Sequence, residues 1–493
     1  MPAKKPTKVK THSPPTCLDL FAGCGGLSLG FEQAGFTSIA ALEKSPMAAE
    51  TYYRNFRASG AEWDERLWRH IVDLGERKKF REQADHGTVI GSVWDVLDDE
   101  DAMDYFVGQS PDVIMGGPPC QGFSMAGRRN PADERNQLPS AFLRFVRILR
   151  PKAVVIENVL GINRAFKSRG GVVPAFEQLQ QALSEEGDGY VVQPVEVNAR
   201  HFGVAQNRPR MMLLALRKDL PAANGLITSP IPWRSVNEWA SKTGSASHKP
   251  SDLTMIPRIG SRIDADPDLT EHTAWEAICD LSPKGYRHKA DAQIYSRPNM
   301  RYASHMRGIV TQTPAPFPLN QSTRNHSERA TQRFDLYHYF SEQGISSKVL
   351  AIPLTSGSER EARSAVKKHL GFAATDLPAD RIFVSDGDRS LVDVVMRLGT
   401  KKHTQRVVEC NAPAPTVVTL PDDYVHPKDP RIMTVRELAR IQSFPDWFEF
   451  RSKETTGSTR RKFEVPQYSQ VGNAVPPLMA QAIGELIAEK IRK

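Results

Sequence analysis

Short apolar runs alternate with segments of helical character over the first 217 residues of the chain. The runs at 16–21, 112–115 and 152–156 are rich in β-branched and other large apolar residues, which is typical of buried strands. Residues 27–36 read as a helix with a glycine near its end. Strands and helices in alternation indicate an open, mainly parallel sheet covered by helices. The pattern therefore predicts a doubly wound α/β domain over residues 15–217.

The pattern changes after residue 217, where prolines interrupt the chain repeatedly up to Pro283. We expect a smaller, irregular or β-rich domain over residues 218–430. Within it, residues 326–343 show helical spacing and end at Gly344. Three aromatic residues share one face of this predicted helix and are expected in its core: Phe334, Tyr337 and Phe340. Basic residues and tyrosines, Tyr302 among them, interleave at 284–307, which suits a nucleic-acid backbone or a solvated face.

Residues 431–493 have two helical segments. Thr434 followed by Glu437 forms the sequence signature of a capping box and predicts a helix from 434 to 444. Apolar residues at helical spacing predict a last helix over 476–490.

Composition narrows the class of protein. The 493-residue chain carries a formal net charge of +8 and has a pI near 9.1, which suits a polyanionic partner. The five cysteines form no Cys-x-x-Cys pair, so we expect no metal site and a reducing, cytoplasmic location. No apolar run is long enough to span a membrane. Residues 1–14 are rich in lysine and are predicted to be a disordered basic arm.

A glycine-rich turn lies between the first predicted strand and helix, in Ala22-Gly23-Cys24-Gly25-Gly26. Strand, glycine-rich turn and helix are typical of nucleotide binding in doubly wound folds. However, Ser28 stands where the dinucleotide fingerprint needs its third glycine. Glu43 ends the next strand, where a carboxylate can accept hydrogen bonds from ribose hydroxyls. Asp95 can accept one from an exocyclic amine such as that of adenine, or it can be a helix N-cap.

Cys120 follows a predicted strand and two prolines, in Gly116-Gly117-Pro118-Pro119-Cys120-Gln121-Gly122. A thiol held rigidly at the end of a strand is placed to act as a nucleophile. A buried structural cysteine is the alternative.

Polar residues also stand beside two later apolar runs. Glu157 follows Ala153-Val154-Val155-Ile156, at the strand end where ligands bind in parallel sheets. Arg208 and Arg210 alternate along an extended segment, so we expect them to point the same way and to bind an oxygen-rich ligand. An exposed loop glutamate and solvated arginines are the alternatives.

These segments belong to an ordered set of motifs. In chain order they are Asp19-Leu-Phe-Ala-Gly-Cys-Gly-Gly-Leu, Glu43, Asp95, Gly117-Pro-Pro-Cys-Gln-Gly-Phe-Ser, Arg135-Asn136 with Pro151-Lys152, Glu157-Asn-Val, Gln206-x-Arg-x-Arg210, Thr434-Val-Arg-Glu-Leu-Ala-Arg-Ile-Gln-Ser-Phe-Pro445 and Gln470-Val-Gly-Asn-Ala-Val-Pro-Pro477. The set resembles the cytosine-C5 DNA methyltransferases, which use S-adenosylmethionine. The resemblance covers residues 16–217 and 431–490. It implies a Rossmann-like catalytic domain at 15–217, a target-recognition domain at 218–430 and a C-terminal segment at 431–493 that returns to the catalytic domain.

The resemblance also implies a role for individual residues. It makes Cys120 the nucleophile, Glu157 the acid that holds the base, and Arg208 and Arg210 the arginine pair. It assigns ten residues to the cofactor: Phe21, Gly23, Gly25, Gly26, Leu27, Glu43, Asp95, Pro118, Asn473 and Val475. The product of the cofactor is S-adenosylhomocysteine, and no metal takes part.

Duplex DNA is the implied substrate, with the target cytosine flipped out of the helix. We expect DNA contacts from Ser124, Arg128 and Arg129 in a polar loop that closes over DNA, and from Thr416. A monomer on DNA and a restriction endonuclease in the same system are further expectations, with nucleoid association if the source is bacterial. The alternatives are an RNA cytosine-C5 methyltransferase and a catalytically silent regulator that binds S-adenosylmethionine or DNA.

Overall fold

A computed structural model describes residues 13–58, 62–118, 138–160, 175–186, 189–225, 233–234, 271–281, 301–308, 319–375, 377–457, 460 and 463–492. The chain forms two compact units. The first consists of residues 1–198, 209–258 and 477–493, and the second of residues 199–208 and 259–476. The functional domain limits at 217 and 430 stay predictions.

In the described part of the chain, the first unit has an eight-stranded sheet with the order β3-β2-β1-β4-β5-β8-β6-β9. Its strands are β1 Thr16–Leu20, β2 Thr37–Glu43, β3 Thr88–Ile90, β4 Val113–Gly116, β5 Ala153–Val159, β6 Tyr190–Asn198, β8 Pro209–Arg217 and β9 Trp233–Arg234. The remaining early strand, β7 (Gln206–Asn207), belongs to the second unit.

Strand direction determines which residues share an edge of this sheet. β1 to β5 are mutually parallel, whereas β8 runs antiparallel to β5 and to β6. The carboxyl ends of β1, β2, β4 and β5 therefore share one edge with the amino end of β8. This architecture confirms the predicted α/β fold with a mainly parallel sheet.

The described part of the first unit also contains nine α-helices. They are α1 Gly26–Gln33, α2 Pro46–Phe56, α3 Glu65–Glu76, α4 Phe80–Asp85, α5 Val93–Leu97, α6 Glu100–Gln109, α7 Leu138–Leu149, α8 Ala175–Glu185 and, from the end of the chain, α17 Pro477–Arg492. Val113, Ile114 and Met115 of β4 are fully buried, as expected of a central parallel strand. α17 packs closely on α1, since a Cβ on Gly30 would lie 2.4 Å from the Cβ of Ala480.

The second unit is mainly helical in its described part. Its helices are α9 Ala274–Ile278, α10 Arg301–Gly308, α11 Glu328–Glu342, α12 Ile352–Thr355, α13 Glu359–Leu370, α14 Leu391–Leu398, α15 Val435–Ile441 and α16 Gln467–Asn473. Its strands β10 Arg406–Val407, β11 Ala414–Pro415 and β12 Tyr424–Val425 have two residues each. An irregular or β-rich domain was expected for residues 218–430. The described residues there are irregular and helical, and strands contribute little.

Local sequence signals account for several of these helices. The predicted aromatic face of α11 is buried, with Phe334 and Phe340 in the core of the second unit. Thr434 caps α15, and the reciprocal hydrogen bonds of the capping box with Glu437 are both present. Both predictions are confirmed. Tyr302 is buried, and its hydroxyl donates to the carbonyl oxygen of Arg440 at 2.6 Å. Its interpretation as a nucleic-acid contact is therefore wrong, because the ring belongs to the core.

Candidate active site

The glycine-rich turn after β1 uses two of its glycines for different purposes. Gly25 has φ 96° and caps α1, and a Cβ there would lie 2.4 Å from Cε2 of Phe56 and 2.8 Å from Cδ2 of Tyr52. Gly25 is therefore required because the turn packs against this stacked ring pair. Gly23 has φ 57°, and its added Cβ would meet no atom within 4 Å. Beside Gly23 the turn faces open space that a ligand can fill.

The first turn of α1 offers backbone donors. Gly26 and Leu27 begin the helix and are buried, and Gly25 provides no side-chain cap. The first N–H groups of a helix have no partner within it, so they suit an anionic group. Phe21 stands just before the turn with a left-handed φ of 62°, an uncommon conformation that tends to occur at functional sites.

Glu43 is fixed by two backbone amides at the end of β2. Its Oε2 accepts from the N–H of Gly23 and its Oε1 accepts from the N–H of Ser45, each at 2.8 Å. Burial raises the pKa of Glu43, and the hydrogen bonds from these two amides partly offset this rise because they stabilise the carboxylate. Each carboxylate oxygen keeps a further lone pair, which can accept a hydrogen bond from a hydroxyl group.

Asp19 lies in β1, shortly before the glycine-rich turn. The sequence motif that contains it indicated no role for its side chain. Its side chain is 1% exposed, and its Oδ2 accepts a hydrogen bond of 2.6 Å from the hydroxyl of Ser28. Its buried Oδ1 has no hydrogen-bond partner among the described residues. Burial raises the pKa of Asp19 to about 7. The signal that was available is its place in an apolar strand, where a carboxylate is costly to bury.

Asp95 lies within α5 rather than at its cap. Ser92 is the N-cap residue, and its hydroxyl accepts from the N–H of Trp94 at 3.3 Å. The interpretation of Asp95 as an N-cap is therefore wrong. Its partly exposed carboxylate forms an ion pair with Lys78 at 3.1 Å. Its assignment to adenine stays a prediction.

The end of β4 is closely packed against its neighbours. A Cβ on Gly117 would lie 3.2 Å from Oε2 of Glu157, so glycine allows the carboxylate to approach the backbone. Asn158 donates from Nδ2 to the carbonyl oxygen of Pro118 at 3.0 Å. Asn158 lies in the Glu157-Asn-Val motif, and the sequence alone indicated no role for it. Cys120, two residues after Pro118, lies outside the described residues, as do Ser124, Arg128 and Arg129.

Glu157 and Arg210 form the polar pair at this edge of the sheet. Nε of Arg210 donates to Oε1 of Glu157 at 2.7 Å, and the two side chains are 10% and 12% exposed. Glu157 lies within β5 and is largely buried, which excludes an exposed loop glutamate. Because a buried ion pair is strongly coupled, either partner controls the orientation of the other.

Arg208 has different partners from Arg210. In the second unit, Nη1 of Arg208 donates to the carbonyl oxygen of Val417 at 3.1 Å, and Nη2 donates to that of Gly472 at 2.9 Å. Each guanidinium is thus held by its own acceptors, and a shared role of the two arginines at one ligand stays a prediction. Thr416, beside this site, donates from its hydroxyl to the carbonyl oxygen of Asn207 at 2.9 Å.

The last two residues predicted to contact the cofactor lie in the second unit. Asn473 is the last residue of α16, and Val475 follows it with 8% exposure. Their cofactor roles stay predictions. Within the described ranges, no group of three or more His, Cys, Asp or Glu residues is placed to hold a metal ion. A search of the same residues finds no helix long and apolar enough to cross a membrane.

The sheet order, the glycine-rich turn after β1 and the carboxylate at the end of β2 are those of a Rossmann-like domain that binds a nucleoside-containing ligand. Comparison with known proteins identifies the family. The profile of the C-5 cytosine-specific DNA methylases matches residues 16–489, so the chain belongs to that family and is a methyltransferase. The match supports DNA as the substrate over the RNA and regulator alternatives.

Curated relatives agree over nearly the whole chain. Type II methyltransferase M.DdeI of Desulfomicrobium norvegicum is 31% identical over 96% of this chain and 88% of its own length. M.XorII of Xanthomonas oryzae pv. oryzae is 29% identical over 97% of this chain and 86% of its own. M.AgeI of Thalassovita gelatinovora is 29% identical over 95% of this chain and 98% of its own.

Proposed function

We propose that this protein transfers a methyl group from S-adenosylmethionine to C5 of a flipped-out cytosine within a specific sequence of duplex DNA. The observation that carries the proposal is the buried pair of Glu157 and Arg210, 2.7 Å apart, beside the Gly117-Pro118 segment that leads to Cys120. The carboxylate of Glu157 thus lies against Gly117, three residues before Cys120 in the chain, which supports a shared role at one base.

The residues around the glycine-rich turn fit S-adenosylmethionine. Open space beside Gly23, carboxylate lone pairs on Glu43 and backbone donors at Gly26 and Leu27 match a ligand with a ribose and a carboxylate. Phe21, Gly25, Asp95, Pro118, Asn473 and Val475 complete the proposed set. When bound, S-adenosylmethionine supplies an electrophilic methyl group and leaves as S-adenosylhomocysteine.

The other cysteines in the described residues are poor candidates for the nucleophile. Burial raises the pKa of Cys24 and of Cys279 to about 12 and also raises the pKa of Cys17 and Cys410. Each is held as a thiol, whereas the thiolate is the nucleophilic form. Of the five cysteines in the chain, this leaves Cys120 as the proposed nucleophile.

Three groups of the chain divide the work on the base. The Cys120 thiolate adds to C6 of cytosine, so that electron density moves to C5 and C5 can attack the methyl group. Glu157 holds N3 and the exocyclic N4 and stabilises the charge that develops there. Arg210 orients Glu157, and Arg208 or Arg210 serves the O2 side of the base. Transfer of the C5 proton to a water molecule and elimination of the Cys120 thiolate then restore the ring and the enzyme.

Recognition of DNA is assigned to the second unit and to the loop after Cys120. Ser124, Arg128 and Arg129 are proposed to bind phosphates beside the flipped base, and Thr416 to contact DNA from the recognition region. We also propose that the enzyme acts as a monomer and protects DNA against a restriction endonuclease of the same system. The type II relatives support this setting.

Trapping with a modified substrate tests the proposal. Duplex DNA that contains 5-fluorocytosine at the methylated position should form a stable covalent adduct, because fluorine cannot leave C5 as a proton. The adduct should require S-adenosylmethionine and should be absent from Cys120→Ser. Cys17→Ser is the control and should still form the adduct. Loss of the adduct in Cys17→Ser alone would make Cys17 the nucleophile. Adduct formation by Cys120→Ser, or labelling of transfer RNA instead of DNA, would refute the assignment.

A further inference from the structure

A row of cations crosses the helical part of the second unit. Arg329, Arg333 and Tyr337 follow one another at four-residue spacing on one face of α11. The segment from Arg397 to Lys402 runs along this face. Nη2 of Arg329 donates to the carbonyl oxygen of Arg397 at 2.7 Å, Nε of Arg333 to that of Leu398 at 2.9 Å, and the hydroxyl of Tyr337 to that of Lys402 at 2.9 Å. The same segment adds two exposed lysines, Lys401 and Lys402.

The row continues towards Thr416. The guanidinium of Arg406 lies 5.4 Å from the centroid of the Tyr424 ring. The hydroxyl of Tyr424 in turn donates to the carbonyl oxygen of Thr416 at 2.8 Å. We call Arg329, Arg333, Lys401, Lys402 and Arg406 the basic strip. Two contacts thus link Arg406, at one end of this strip, to Thr416, the residue already expected to touch DNA.

The charges of the basic strip are only partly balanced. Lys402 pairs with Asp422, whereas Arg329 and Arg333 form no ion pair with any described carboxylate and spend hydrogen bonds on backbone carbonyl groups. Burial lowers the pKa of Arg333, and the neighbouring charge of Arg329 lowers it further. Two arginines held close together without a carboxylate repel each other, and an external anion relieves that repulsion.

We propose that the basic strip binds the sugar-phosphate backbone of duplex DNA outside the target sequence. The inference rests on the proposed function, which makes DNA the substrate. The nine residues from Arg329 to Tyr337 cover eight steps, or about 12 Å, of helix, which is comparable to the axial rise over about three to four consecutive phosphates of one strand. Such contacts add affinity and salt dependence and do not read sequence.

Two exposed members of the strip provide the test variant, Arg329→Gln with Lys401→Gln. The matched control is Lys367→Gln with Lys368→Gln, which removes the same charge from exposed positions on α13 that take part in none of the hydrogen bonds that build the strip. The probes are fluorescent duplexes of 14 and 40 base pairs of mixed sequence, because the proposed contacts do not read sequence. Binding is measured by anisotropy over a potassium chloride series, and thermal unfolding checks that both variants fold.

The strip variant should bind the 40-base-pair duplex about tenfold more weakly than the control, and its log–log salt slope should fall by about two. The ratio of the affinity for the 40-base-pair duplex to that for the 14-base-pair duplex should fall in the strip variant. Its methylated sequence and its turnover at saturating DNA should stay those of the wild type. An affinity and a slope equal to those of the control would overturn the proposal and leave the strip to an acidic protein partner. Absence of 5-methylcytosine from the wild-type reaction would instead refute the proposed function, because strip binding is measured without turnover.

Discussion

Arg210 donates a hydrogen bond of 2.7 Å to Glu157 across two antiparallel strands. Glu157 pairs in register with Met212 and Arg210 pairs with Val159, so the two side chains are diagonal neighbours at one edge of the sheet. The geometry of the proposed catalytic acid is therefore set by the first residues of the strand beside it.

Arg210→Lys tests this dependence. Lysine keeps the charge but lacks the planar guanidinium, so it cannot reproduce the Nε hydrogen bond. Loss of a charged hydrogen bond costs about 1.5–3 kcal/mol, and we expect kcat to fall about tenfold or more while affinity for S-adenosylmethionine stays the same. Arg217→Lys is the control, because Arg217 forms a similar pair with Asp219 at the far end of β8. Wild-type kcat for Arg210→Lys would show that Arg210 does not position Glu157.

Alanine at Gly23 should act mainly on cofactor binding, whereas alanine at Gly25 should act mainly on stability. Gly23→Ala places a methyl group in open space at a left-handed φ, which costs about 1–2 kcal/mol of stability. Its methyl group should nevertheless block S-adenosylmethionine. Gly25→Ala adds overlap with Phe56 and Tyr52, so it should cost about 2–5 kcal/mol in total.

Calorimetric titration with S-adenosylmethionine and urea unfolding separate the two effects. Wild-type affinity in folded Gly23→Ala would place the cofactor elsewhere. A stable Gly25→Ala protein would show that the turn moves away from the ring pair without penalty.

Asp19 should give the stability of the enzyme a pH dependence. Because burial raises its pKa from 3.8 to about 7, the folded state holds a proton that the unfolded state has released between these values. The free energy of unfolding contributed by this group is therefore fully present below pH 3.8 and declines as pH rises to about 7. Asp19→Asn removes the titration, so its unfolding free energy relative to the wild type should rise across this window.

Urea unfolding at about pH 5 and about pH 8 measures that difference. The control is Asp104→Asn on the exposed face of α6, which should retain the pH slope of the wild type. Equal slopes for Asp19→Asn and the control would mean that Asp19 is ionised in the folded protein throughout this range.

Local structural features could be predicted from the sequence where they depend on residues that are neighbours in the chain. The capping box of Thr434 and Glu437, the end of α11 near Gly344 and the position of Glu157 on a strand are of this kind. Arg208 shows the limit, because its acceptors Val417 and Gly472 are far away in the sequence.

Packing was equally hidden from the sequence. Gly25 looked like a cofactor residue, and the structure gives it a second constraint from the rings behind it. Asp19 is a single polar residue in an apolar strand, and only its burial in the fold explains its raised pKa, which the hydrogen bond from Ser28 partly offsets.

The most direct test of the central claim is nucleoside mass spectrometry of duplex DNA after incubation with the enzyme and methyl-labelled S-adenosylmethionine. The wild-type enzyme should produce labelled 5-methylcytosine at one sequence, as mapped by bisulfite sequencing. Cys120→Ser should produce none while its affinity for S-adenosylmethionine stays near that of the wild type, since a serine hydroxyl is far less acidic than a thiol. Labelled 5-methylcytosine from the Cys120→Ser enzyme, or label on another base or only on RNA, would contradict the account.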